Sequence, residues 1–68
     1  MGKIRVNDKF EVDWKPGMTI RDIIKALNFT FPMLVVTVNG KVIPKDEWDT
    51  YQVGENDNVR ILHMIAGG

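Results

Sequence analysis

The chain has 68 residues, 44% of them hydrophobic, with nine Lys and Arg against nine Asp and Glu. That is one domain, and its core is too thin to enclose a cofactor pocket, which takes about 300 Å³ or more. A domain this small buries only roughly 60% of its unfolded surface. With no cysteine and a single histidine, it has neither a disulfide nor a structural zinc site to support it.

Zero net charge also speaks against nucleic acid, whose phosphates are met by a basic excess. Up to Lys25 there are six cations and four anions, and after it three and five, a mild asymmetry that a solvated surface explains. No stretch approaches the ~18 apolar residues of a membrane span. The start lacks an apolar signal core, and Val6 stands where a myristoylation motif has Ser or Thr. Asn28-Phe29-Thr30 fits a glycosylation sequon, which means nothing without secretion. These features point to a cytoplasmic protein.

Lys3 to Val6 alternates, with Ile4 and Val6 on one face and two cations on the other, and reads as a half-buried strand. Asn7-Asp8 is a turn pair. Phe10, Val12 and Trp14 then alternate with Lys9, Glu11 and Asp13, so the two runs predict an antiparallel hairpin. Lys15-Pro16-Gly17 stops it. From Thr19 the period changes: Ile20, Ile23, Ile24 and Leu27 form one helical stripe. Thr19 is the expected cap, and Asp22 complements the positive helix end. Isoleucine is a poor helix former, so packing has to hold this helix, predicted over 20–28.

Leu34 to Val38 is apolar and largely β-branched, the pattern of a central strand. Asn39-Gly40 predicts a type I′ hairpin turn, and Lys41 to Ile43 the returning strand, with Pro44 suiting an edge. Lys45 to Asp49 is expected to make one helical turn, with Trp48 and Tyr51 closing the open end of the sheet. After a turn at Gly54 to Asp57, a last strand is predicted over 59–65. The element order is β-β-α-β-β-β. Ile4, Val6, Phe10, Val12, Ile20, Ile23, Ile24, Leu27, Val36, Val38, Val59 and Ile61 are expected to form one core.

Catalytic chemistry finds little here. There is no serine or cysteine, and nothing in the spacing places His63 beside a threonine. Gly17, Gly40 and Gly54 are isolated turn residues rather than a phosphate cradle. Asp46, Glu47 and Asp49 read as solvating a helical turn, and Trp14, Trp48 and Tyr51 as core and lid. No catalytic residue and no metal site is expected.

What remains is Ala66-Gly67-Gly68. A frayed terminus is one reading. The other is functional: a diglycine has no Cβ, so it threads a narrow slot and lets another backbone approach closely. Met64 to Gly68 spans up to ~17 Å at about 3.4 Å per residue, enough to carry a terminal carboxylate into a partner enzyme. That carboxyl, with a pKa of about 3.5, is an anion at neutral pH and a poor electrophile until activated. On the last strand Leu62 and Met64 alternate with Val59 and Ile61, so they face outward as a candidate docking patch unless Trp48 or Tyr51 covers them.

The element order with a terminal diglycine resembles the ubiquitin-like β-grasp proteins. Val38-Asn39-Gly40-Lys41-Val42-Ile43-Pro44 with Trp48, the turn Gly54-Glu55-Asn56-Asp57 and the ending Ile65-Ala66-Gly67-Gly68 look like the thiamine-biosynthesis sulfur carriers, the ThiS family. The resemblance implies an α+β fold with a mixed sheet packed on one helix over residues 1–65, and a flexible functional tail over 66–68. It implies a carrier, not an enzyme, and a monomer when free. A ubiquitin-activating-type adenylyltransferase with ATP and magnesium would activate Gly68, with Ala66 and Gly67 threading its active site. A persulfide donor would then supply sulfur, and thiazole synthase would receive it; this chain binds no cofactor itself. The small subunit of molybdopterin synthase shares fold and chemistry, but is typically longer and often has Pro before Val-Ala-Gly-Gly, where this chain has His63-Met64-Ile65. A ubiquitin-like protein modifier and a plain interaction module with an idle tail are the remaining alternatives.

Overall fold

The computed structural model describes residues 2–30 and 33–63. Strand β1 (Gly2–Val6) pairs antiparallel with β2 (Phe10–Trp14), and helix α1 (Ile20–Ala26) follows. Then come β3 (Leu34–Val38), β4 (Lys41–Ile43), a 3-10 turn (Lys45–Glu47) and β5 (Asn58–His63). The sheet order is β2-β1-β5-β3-β4: β5 lies parallel to β1 and antiparallel to β3, so the last strand is the central one. The two hairpins meet only through it.

The helix starts where the sequence places it. Thr19 and Asp22 form a reciprocal cap: the Thr19 N–H donates to Asp22 Oδ2 at 3.0 Å, and the Asp22 N–H to Thr19 Oγ1 at 3.3 Å. The helix ends at Ala26, two residues earlier than predicted, because Asn28 turns left-handed at φ 58°. The Asn28 N–H then donates to the Lys25 carbonyl (3.1 Å) and the Phe29 N–H to that of Ile24 (3.1 Å), which satisfies the last turn.

Ile20, Ile23 and Ile24 pack on the inner face of the sheet, against Ile4, Val6, Val12, Val36, Val38, Val59 and Ile61. Phe10 and Leu27, expected inside, are half-buried at the rim. Met18, Ile43, Trp48 and Val53 complete the core in their stead. Trp48 is anchored by its indole N–H, which donates to the Ile43 carbonyl at 2.9 Å. Backbone carbonyls of Trp48 and Tyr51 accept from the first helical N–H groups, of Arg21 (2.9 Å) and Ile20 (3.3 Å). The 3-10 turn and the loop after it therefore sit on the positive end of α1. Asn39 and Gly40 both have positive φ, 52° and 85°, as the predicted hairpin turn requires.

Candidate functional site

The site is built on β5 and its neighbours. Val59 and Ile61 point into the core, which leaves Arg60 and Leu62 on the outer face. Leu62 is 49% exposed, and Trp48, buried on the helix side, does not cover it. Its direct cross-strand neighbour is Val35, half-buried on the same face. One rung away Thr37 sits between Arg60 and Val42, and Val42 is 60% exposed. Leu62 and Val35 thus form an apolar pair on the outer face of β5 and β3, and Val42 on β4, diagonal to Val35, extends it as a strip. Val35 and Val42 were not singled out in the sequence as site residues; the signal for Val35 was the consecutive apolar Leu34-Val35-Val36 of β3, which supplies apolar side chains to both faces of the sheet.

The other half of that face is ionic. Lys3 meets Asp13 at 2.8 Å and Arg5 meets Glu11 at 3.5 Å across the β1–β2 ladder, while Arg60 meets Asp8 at 2.7 Å. Hydrogen bonding and charge from Lys3 hold the Asp13 carboxyl below its ordinary value, and the same contact raises the Lys3 ammonium. These pairs turn the β1–β2 half toward water and leave the apolar strip as a bounded patch.

Beside the strip, Asn7 grips β5. Its own N–H donates to the Val59 carbonyl at 2.9 Å. Its side-chain Nδ2 donates to the Ile61 carbonyl (3.0 Å), and the Ile61 N–H donates to Asn7 Oδ1 (2.8 Å). Only this amide orientation matches a donor to the carbonyl and an acceptor to the N–H.

Leu62 is the one expected site residue that the described structure contains. Met64, Ala66, Gly67 and Gly68, the end of the predicted last strand and the 65/66 domain boundary lie outside the described residues. Among those described, no three His, Asp or Glu side chains gather as a metal site, and Asp49 is paired with Arg21 at 2.9 Å. An open-sided depression of about 400 Å³ runs between β2 and α1, lined by Trp14, Met18 and Leu27 among others. Its carboxylates, Glu11 and Asp13, are the ones already paired with Arg5 and Lys3. It offers no nucleophile with a base. No described helix is long and apolar enough to cross a membrane.

A five-stranded mixed sheet clasping one helix, with the last strand in its middle, defines a ubiquitin-like β-grasp protein. A solved structure of the thiamine biosynthesis protein ThiS from Geobacter metallireducens has the same arrangement, with a TM-score of 0.79 and 26% identity, covering 97% of this chain and 99% of that one. A sequence model of the ThiS family matches residues 2–68, and the chain belongs to that family. It is similar to the sulfur carrier protein ThiS of Bacillus subtilis (strain 168), with 26% identity over 66 residues, 96% of this chain and 98% of the relative. It is also similar to the sulfur carrier protein ThiS of Escherichia coli (strain K12), with 23% identity over 52 residues, 76% of this chain and 79% of the relative.

Proposed function

We propose that the chain carries sulfur for thiazole formation in thiamine biosynthesis as a thiocarboxylate on Gly68. The observation that carries this reading is the family match itself, which runs through Gly67-Gly68 in a chain with no cysteine. With no thiol available, a main-chain carboxyl is the group on which sulfur rides.

The chemistry follows from that carboxyl. As an anion it attacks the α-phosphorus of ATP in a ubiquitin-activating-type adenylyltransferase, which also holds the magnesium; pyrophosphate leaves and an acyl-adenylate forms. The terminal sulfur of a persulfide donor attacks the acyl carbon and expels AMP. A thiol then cleaves the remaining S–S bond, is itself oxidised to a disulfide, and leaves the thiocarboxylate for thiazole synthase. Ala66 and Gly67 pass through the partner's narrow entrance, and the domain over 1–65 stays outside. Docking falls to the Leu62 strip, extended by Met64. The partner thus supplies the catalysis, in the cytoplasm, while this chain is co-substrate.

Intact mass decides the matter. Incubated with the activating enzyme, ATP and a persulfide donor, the chain should gain the mass of one sulfur replacing one oxygen, localised to Gly68. Deleting Gly68, or adding one residue after it, should abolish the gain and leave the melting temperature unchanged. Sulfur loading that survives the deletion overturns the reading. Sulfur passed to molybdopterin synthase but not to thiazole synthase, or covalent adducts on lysines, would assign one of the related roles instead.

A further inference from the structure

The strand that leads to Gly68 is held unequally on its two sides. Toward β3 the ladder continues to the end, with Leu34 opposite His63. Toward β1 it stops early, with pairs only at Arg5–Asn58 and Val6–Val59. The next rung of a parallel ladder would take the Ile61 N–H onto the Asn7 carbonyl, and would give the Ile61 carbonyl the N–H of residue 9. Neither happens, because Asn7 and Asp8 turn left-handed (φ 58° and 53°) and the Lys9 N–H closes that turn onto Val6 instead, at 3.1 Å.

The Asn7 side chain fills the gap. Its amide has the same donor and acceptor as a peptide group, and it meets both backbone groups of Ile61, 54 positions away. Ile61 is buried, so without this amide its N–H and carbonyl would lose their partners on that side and the strand would open there. Asn7 thus holds β5 from the β1 side two residues before its described end at His63.

We propose that Asn7 is a positioning residue for acyl activation: by fastening Ile61 it keeps the end of β5 in place, the base from which the chain runs on to Gly68 and the adenylating partner. This rests on the carrier reading above. Gly68 lies seven positions beyond Ile61, and activation needs its carboxyl brought to a near-attack position, which a loosened end of β5 makes less frequent. The Leu62 strip still docks, so the loss falls on turnover rather than on recognition.

Asn7→Gly separates side chain from backbone, since glycine accepts the positive φ and removes only the amide. In this variant, amide exchange at Ile61 should accelerate on the order of tenfold, the worth of about one hydrogen bond, while Ile4 and Val36 keep parent protection. Pyrophosphate release by the activating enzyme should show kcat reduced about tenfold at unchanged KM, at a temperature where circular dichroism reports a fully folded chain. Asn7→Asp, which keeps an acceptor for the Ile61 N–H but loses the donor, should fall between the two. Parent exchange at Ile61, parent kcat, or a loss confined to KM in Asn7→Gly overturns the inference. A parent chain that takes no adenylate overturns the carrier reading instead, and the tail-positioning role with it.

Discussion

The two faces of β5 belong to one short strand, yet a substitution disturbs different things on each. Val59 and Ile61 are enclosed by α1 and the inner face of the sheet, so a change there acts on folding. Leu62, which follows them, contributes little to the core and is exposed on the outer face. Alternation alone places a core residue, Ile61, and the exposed Leu62 of the proposed dock side by side. The contrast teaches that exposure of an apolar residue matters when it has apolar company: Leu62 faces Val35 directly, with Val42 diagonal to Val35 on the next strand, whereas a scattered leucine would need no explanation.

The largest effect that sharpens this contrast is Ile61→Ala, expected to cost about 2–5 kcal/mol by transfer and cavity terms. For a chain this size that approaches the whole stability. A urea melt measures it, and a midpoint near the parent's would mean that the inner face is assigned wrongly. Next comes Leu62→Asp. It should lower kcat/KM for adenylation about tenfold, some 1.4 kcal/mol of transition-state binding, with the melting temperature within a few degrees of the parent. An unfolded Leu62→Asp chain would erase the distinction between the faces.

The smallest effect touches neither face and so calibrates both. Thr19→Ala removes a helix cap and should cost about 1 kcal/mol with no change in adenylation of folded protein. The same cap carries an acid signature. The Asp22 carboxyl is held below its ordinary value, first by the hydrogen bond from the Thr19 backbone N–H. Its contribution is therefore complete above the unfolded aspartate pKa of about 3.9, and it is lost as pH falls through the lower folded value. Melting temperature followed from pH 6 to pH 2 should show a smaller acid loss in Asp22→Asn than in the parent.

Much of the fold could be read in the residues because its signals are local. The alternation of Phe10 to Trp14, the Ile20–Ile24 stripe with its Thr19 cap and the Asn39-Gly40 turn each lie within one element, and each is found there. What was missed depends on distant partners. Met18 and Val53 lie in loops without periodicity, yet the Val53 N–H donates to the Met18 carbonyl at 2.9 Å and both enter the core. The helix end was placed late because Asn28 was counted as its last residue, although asparagine is, after glycine, the residue that most readily turns left-handed at a helix end. For the site, Leu62 followed from strand parity, whereas Val35, in an apolar strand, was assigned neither to the core nor to the dock. Asn7 read as a turn residue, and its hold on Ile61 exists only once the chain has closed on itself.

That closure has a consequence for how the protein comes into being. The central strand is the last to be synthesised, and both hairpins depend on it for their second neighbour. A nascent chain lacking residues after Asp57 has two separate ribbons and a helix without a continuous floor, and long-range parallel pairing is slow to form even when the strand is present. Folding therefore waits on the segment that leads directly to Gly67 and Gly68. Translation products cut short before β5 remain open to proteolysis, and the folded population is enriched in chains that have completed it.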